Sequence, residues 1–303
     1  MTKDISASVK ARLLNIAKSE RRAFNTISLL YMQERLLYRL SISEYKERFI
    51  LKGGLLLFSI NEFKGRPTRD IDFLAEDISN DLKNIEDAFK SICSIECEDG
   101  ITYDINGISV ERIKEDAEYE GVRVKISSLL GKARELIQID IGFGDIVIPD
   151  PKEMIYPTLL DLDSPKVMVY SKESIIAEKF EAMVSLTVFN SRMKDFYDIY
   201  TMATKEEFDY ETLKSAISET FNRRATNISN YAAIFKEDFI TDQSRINQWK
   251  AFLKRINLNE QLEYSTVMNV LDKFLKPIAE GINEENSILH KWNKDNLTWI
   301  CNK

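Results

Sequence analysis

Thr68-Arg69-Asp70-Ile71-Asp72-Phe73 alternates polar and apolar side chains, the period of a strand with one wet face and one buried face. Alternate side chains of a strand share a face, so Asp70 and Asp72 point together while Ile71 and Phe73 point into a core. Two adjacent carboxylates repel each other, and the arrangement is costly unless a cation sits between them. Mg²⁺ suits the role, being a hard ion that takes carboxylate oxygens and shares its other positions with water and substrate phosphates. Many solvent-facing strands carry an Asp-x-Asp, so the surrounding sequence has to strengthen the reading.

Upstream, Lys52-Gly53-Gly54 leads into the apolar, helix-like run Leu55 to Ile60. Glycines at a helix start let backbone N–H groups approach a phosphate, where the helix dipole also favours negative charge. A tight turn is the plainer explanation of the same pair. We therefore take Lys52, Gly53 and Gly54, with Thr68, Arg69 and Asp198, as candidate nucleotide-binding residues. A third carboxylate comes from Gln138-Ile-Asp140-Ile-Gly142, the polar face of a strand whose other face is Ile137, Ile139 and Ile141. If that strand neighbours Asp70 and Asp72, three carboxylates converge, the set used in metal-assisted phosphoryl and nucleotidyl transfer. Asp145 is the loop alternative.

Lys179 lies within or beside the apolar stripe formed by Ile175, Ile176 and Met183. Snorkelling explains a lysine there, and so does an ammonium held to neutralise nucleotide phosphates. The same stretch ends in Arg192-Met-Lys-Asp195-Phe-Tyr-Asp198, whose two aspartates share a face of a continuous helix. They could orient Lys179 or an acceptor hydroxyl, with Asp195 as a base, or serve as an N-cap or a surface ion pair with Arg192 or Lys194.

Composition narrows the chemistry. Among 303 residues there is one histidine, His290 in a polar C-terminal stretch, which argues against a His-rich zinc site and against Ser-His or Cys-His catalysis. Cys93, Cys97 and Cys301 fit neither a zinc ribbon nor a disulfide scaffold. Carboxylates, lysine and a hard metal remain. The net charge of −7 excludes a globally basic nucleic-acid binder, so RNA contact would need a local patch. Lys10, Arg12, Lys18, Arg21 and Arg22 between the apolar positions of two N-terminal helices offer one, unless they are a solvated surface. No apolar run is long enough to span a bilayer and the start, Met1-Thr-Lys-Asp-Ile-Ser, has no apolar leader, so we expect a cytoplasmic protein with no membrane partner.

Nine of the ten glycines fall at or before Gly144, and Pro149, Pro151, Pro157 and Pro165 crowd the segment that follows, which marks a boundary. We expect a mixed α/β domain with a helical N-terminus over 1–165 and a helical domain over 166–303 that contributes Lys179 and Asp195 to the site. The first domain would contain a polar turn through Gly65 and Pro67, a helix over 81–93, and strands over 107–112, 121–127 and 135–143. The second would contain a long helix from Ser171 and helices over 209–221, 227–238, 242–256 and 263–280.

Seven segments in one order resemble the AbiEii/AbiGii toxin nucleotidyltransferases of abortive-infection and toxin–antitoxin systems. They are Ala11-Arg-Leu-Leu-Asn, Glu34-Arg-Leu-Leu-Tyr-Arg-Leu-Ser, Phe49-Ile-Leu-Lys-Gly-Gly, Arg66-Pro-Thr-Arg-Asp-Ile-Asp-Phe, Gln138-Ile-Asp-Ile-Gly-Phe-Gly-Asp, Ile176-Ala-Glu-Lys-Phe-Glu-Ala-Met and Ser191-Arg-Met-Lys-Asp-Phe-Tyr-Asp. The resemblance covers the chain to about residue 203. It implies an α+β fold: a DNA polymerase β-like nucleotidyltransferase domain with a small mixed sheet, followed by a mainly helical C-terminal region. It also implies nucleotide binding, a toxin role in phage defence, and a cognate antitoxin expressed from the same operon. The family's motif positions fall on Gly53 and Gly54, Asp70 and Asp72, Lys179, and Lys194-Asp195. The wider superfamily usually has Gly-Ser and a shorter spacer before Asp-x-Asp. Here the second position is Gly54 and fifteen residues separate it from Asp70, so Thr68 can supply the missing hydroxyl.

The expected reaction joins a nucleoside triphosphate, bound with Mg²⁺ on Asp70, Asp72 and Asp140, to an acceptor. By analogy with related toxins that acceptor is the 3′ end of a tRNA. The alternatives are a nucleotide-binding (GTP-binding) toxin that transfers nothing, and a transferase acting on a small molecule.

Overall fold

The computed structural model describes residues 5–61, 63, 68–116, 119–187, 192–256, 258, 261–282 and 289–301, without the side chains of 114–116 and 119–120. The turn expected through Gly65 and Pro67, and the anchor residues Arg66 and Ser191, lie outside these. The chain forms two units, Met1–Gly144 with Pro151–Tyr170, and Asp145–Asp150 with Ser171–Lys303. No helix among the described residues is long and apolar enough to cross a membrane.

The first unit is built on a mixed sheet of β1 (Phe49–Lys52), β2 (Asp70–Ala75), β3 (Ile101–Tyr103), β4 (Ser109–Asp116), β5 (Tyr119–Leu130), β6 (Ala133–Phe143), β7 (Lys152–Ile155) and β8 (Lys166–Val169). Its order is β3-β5-β6-β2-β1-β8-β7, with β4 beside β5. Four helices accompany it: α1 (Ile5–Ser19), α2 (Phe24–Ser41), α3 (Gly53–Ile60) and α4 (Leu82–Cys93). Period-2 alternation sets the sheet's two faces. Ile71, Phe73, Val122, Val124, Ile126, Ile137, Ile139 and Ile141 are all buried, each worth about 1.5–3 kcal/mol relative to exposure. Asp81 caps α4 by accepting from the amides of Lys83 and Asn84.

Helix α2 is buried nearly all round, including Glu34, Arg35 and Arg39. Its charged groups find partners inside: Arg39 grips Asp99 at 2.6 and 3.1 Å, Glu34 accepts from the amide of Leu159 at 2.7 Å and pairs with Arg35 at 2.7 Å, although Glu34 Oε1 and Arg35 Nε are left without a hydrogen bond. Of the basic residues on the N-terminal helices, Lys10, Arg12, Lys18 and Arg21 are exposed. Arg22 is not part of that face, because its guanidinium lies over Phe58 and donates to the carbonyl of Phe63.

The second unit contains α5 (Lys172–Leu186), α6 (Met193–Lys205), β9 (Phe208–Asp209), α7 (Tyr210–Arg223), α8 (Glu237–Ile240), α9 (Gln243–Arg255), α10 (Tyr264–Gly281), β10 (Leu289–Asn293) and β11 (Thr298–Cys301). Two expectations need correction. The helix expected over 227–238 is a 3-10 segment, Ile228–Phe235, followed by the single turn α8. The long helix from Ser171 stops at Thr187, whose φ of 35° is incompatible with continuing it, and α6 starts afresh. The region is mainly helical as expected, with a small sheet of β9, β10 and β11 added to it. Its strands are too short for alternation to register. They are held by Trp292 and Trp299, whose indole N–H groups donate to the carbonyls of Ala203 and Phe274 and whose rings pack on Phe274. His290 is exposed on β10.

Candidate active site

The strand bearing Asp140 does neighbour the strand bearing Asp70 and Asp72. β2 and β6 run parallel, with Asp70 beside Gln138 and Asp72 beside Asp140. On the other side β1 runs antiparallel to β2 with Lys52 opposite Asp72. Asp70 and Asp72 are half-buried while Ile71 and Phe73 between them are buried, as the alternation requires.

The chain turns from β1 into α3 at Gly53, with φ of +69°. A side chain there would also collide with Asp72, because a Cβ on Gly53 would stand 1.9 Å from Asp72 Oδ2. The carboxylate of Asp72 thus lies against the first turn of α3 and accepts from the Gly54 N–H at 3.3 Å. The dipole at this helix start favours a negative group. Lys52 is buried with its ammonium over the Tyr170 ring, 5.4 Å from the centroid. Thr68 is half-buried and Arg69 is exposed, and the Arg69 carbonyl accepts from Gln33, which ties the entry to β2 to helix α2.

The residue that sequence reasoning missed is Arg123 on β5. Its Nε and Nη2 donate to the two oxygens of Asp140, both at 2.7 Å, a fork-to-fork ion pair. Turned with its oxygen toward the guanidinium, the Gln138 amide accepts from Arg123 at 3.2 and 3.3 Å. The hydrogen bonds from Arg123 to Asp140 raise its pKa, against the cost of burial and with further attraction from Asp140, Glu111 and Asp70. The strand expected over 121–127 carries the alternation Val122-Arg123-Val124-Lys125-Ile126, which puts Arg123 on the face opposite the buried Val122, Val124 and Ile126, but which strand lies alongside is a tertiary fact.

Three carboxylates, the Arg123 guanidinium and the ammonium of Lys52 opposite Asp72 leave this face one negative charge in excess. Among the described residues no group of three or more His, Cys, Asp or Glu side chains is arranged to hold a metal. The donor set that fits a cation is the pair Asp70 and Asp72: two hard oxygen donors on one strand face, the number Mg²⁺ usually takes when phosphates and water supply the rest.

The second unit has its own charged cluster. Lys179 on α5 donates to Asp195 at 3.1 Å and to Asp198 at 2.7 Å, both on α6. The two carboxylates are 1% and 5% exposed, so the surface-pair explanation does not apply even though Arg192 also pairs with Asp195 at 3.1 Å. Asp145, the alternative third carboxylate, belongs to this unit and pairs with Arg224 at 3.3 Å. Burial opposes charge on Arg224, but Glu178, Asp145 and Glu181 outweigh it and push its pKa up.

Two solved structures are similar to this chain. The first is JHP933 from Helicobacter pylori, 14% identical over 87% of this chain and 95% of that one, with a TM-score of 0.47. The second is a "putative nucleotidyltransferase" from H. pylori, 15% identical over 88% of this chain and 98% of that one, with a TM-score of 0.46. No curated protein matches the sequence. The family model of the nucleotidyl transferase AbiEii toxin, type IV toxin–antitoxin system, matches residues 35–273, which take in both β2 and the Lys179 cluster. A match over that much of the chain makes this protein a member of the AbiEii nucleotidyltransferase toxin family.

Proposed function

We propose that this toxin takes a nucleoside triphosphate together with Mg²⁺ and transfers its nucleotide to an acceptor hydroxyl, the 3′ end of a tRNA. The observation that carries the proposal is the pairing of Asp70 and Asp72 on one strand face against the glycine start of α3. Asp70 and Asp72 would hold the Mg²⁺. Bound there, it supplies positive charge to the triphosphate and to the departing pyrophosphate. The amides at Gly53 and Gly54, with the exposed Arg69 and the hydroxyl of Thr68, would receive phosphate oxygens. Asp140 supports the carboxylate set through Arg123.

Lys179 would neutralise phosphate charge. Its two buried partners suit a positioning role, because an ammonium fixed by two carboxylates keeps its charge and its direction. Asp195 is so engaged with Lys179 and Arg192 that we assign it to orienting Lys179 rather than to taking a proton. In the reaction the acceptor oxygen bonds to the α-phosphorus, the bond to the bridging oxygen breaks, pyrophosphate leaves, and the hydroxyl proton passes to water.

The exposed bases Lys10, Arg12, Lys18 and Arg21 suit contact with an RNA backbone. Membership of a toxin–antitoxin family implies an antitoxin partner, and we propose that it comes from the same operon and that the pair acts in phage defence in the cytoplasm. Incubation with each labelled nucleoside triphosphate and total tRNA tests the reaction. Label on tRNA with the wild type and none with Asp70→Ala is expected, and equal background labelling would refute it. Growth arrest that survives Asp70→Ala with Asp72→Ala would assign toxicity to nucleotide (GTP) binding without transfer.

A further inference from the structure

We propose that this site is built for a single divalent cation, held by Asp70 and Asp72, and that the Arg123 guanidinium occupies the place beside Asp140 that a second cation would need. The proposal rests on the nucleotidyl-transfer reading and deepens it. The parallel register sets Asp140 next to Asp72 across one strand spacing of about 4.8 Å. Cations in two-metal sites stand about 3.5–4 Å apart, so carboxylates on adjacent strands are well spaced to share a pair. Asp140 is therefore where a second ion would find its outer ligand.

Both of its oxygens are already taken. Arg123 reaches across from β5 and meets them with two parallel hydrogen bonds of 2.7 Å, and the Asp140 side chain is 13% exposed. The surrounding pairing directs Arg123 there. Glu111 is opposite Arg123 in the β4–β5 register, yet its carboxylate is claimed by Lys125 at 2.6 Å, which leaves the guanidinium fork to Asp140. Gln138 adds a further acceptor to the same guanidinium.

A dication at Asp140 would have to break a bidentate, charge-assisted pair and then sit beside the displaced positive charge. Arginine cannot relieve that repulsion by losing a proton. It supplies one fixed positive charge where a second metal would bring two, on a face that Arg123 and Lys52 already leave with a single negative charge in excess. Arg123 is thus the residue that sets the metal count.

The test is Mn²⁺ binding to the full chain with a non-hydrolysable α,β-methylene nucleoside triphosphate, followed by electron paramagnetic resonance and calorimetry. We expect one Mn²⁺ per wild-type chain, two for Arg123→Met, and one again for Arg123→Met with Asp140→Asn. Asp140→Asn alone keeps the side chain's size and one of the two hydrogen bonds from Arg123, and should weaken the single site by less than about tenfold, the lower end for a partner that supports a ligand. Asp70→Asn should weaken it by more than about a hundredfold, beyond the range for such supporting partners.

Two ions in the wild type, one ion in a folded Arg123→Met, or a loss in Asp140→Asn as large as in Asp70→Asn would each overturn the assignment of Arg123. Those results leave the transfer reading standing. Mn²⁺ binding that ignores Asp70→Asn and Asp72→Asn, or no binding at all, would bring down the transfer reading and this inference with it.

Discussion

Replacing Gly53 with alanine puts a methyl group where Asp72 already stands, and its two costs can be separated. The first is conformational: at φ of +69° an L-residue with a Cβ pays roughly 1–2 kcal/mol. The second is steric. The new Cβ would lie 1.9 Å from Asp72 Oδ2, and contacts under about 3.4 Å are strained, so the carboxylate must swing away by about 1.5 Å. That movement also breaks its hydrogen bond from Gly54, worth about 1.5–3 kcal/mol for a charged acceptor.

We expect Gly53→Ala to destabilise the first unit by about 2.5–5 kcal/mol, with a Tm lower by roughly 5–20 °C. The steric part should vanish when Asp72 is also alanine. A double-mutant cycle by urea denaturation, with Gly53→Ala, Asp72→Ala and both together, should show a coupling of about 1.5–3 kcal/mol. Mn²⁺ affinity of the single Gly53→Ala should fall with the displaced carboxylate. Additive stabilities, or metal binding unchanged in Gly53→Ala, would refute the reasoning that Gly53 exists to seat Asp72.

Lys179→Met should abolish transfer and destabilise the second unit by about 3–5 kcal/mol, since it leaves two buried carboxylates without their ammonium. Adding Asp195→Asn and Asp198→Asn should restore much of the stability measured by denaturation but none of the activity, and recovery of both would make Lys179 purely structural. Burial raises the Glu34 carboxyl from 4.5 to about 7, although Arg35 and the Leu159 amide pull it down. The folded state therefore holds this proton more tightly than the unfolded one. Its stabilisation is complete below about pH 4.5 and is lost as pH rises through about 7, a change of about 3 kcal/mol. Urea denaturation across that window should show a downward slope in the wild type that Glu34→Gln removes, and equal slopes would count against it.

The sheet strands were legible in the sequence wherever alternation ran long enough. Ile137, Ile139 and Ile141 declared a buried face, and with it the polar face of Gln138 and Asp140. The short strands β9, β10 and β11 were not legible, because two to five residues carry too little periodicity and their burial comes from Trp292 and Trp299 packing on a distant helix. The helix break at Thr187 was hidden for a related reason: neither glycine nor proline marks it, and a single positive φ does the work.

By itself the sequence determined that Asp70 and Asp72 share a face, that a glycine pair precedes them, and that one histidine leaves carboxylates and lysine to carry the chemistry. Those follow from side-chain type and from the fixed period of a strand. Only the tertiary structure decided what each group meets. That Asp140 sits beside Asp72 depends on strand order, that Arg123 claims Asp140 depends on which strand flanks β6, and that Gly53 must lack a side chain depends on Asp72 lying against it. Charge pairing acts over a few ångströms between residues 17 or more positions apart in the chain, and no local pattern encodes those distances.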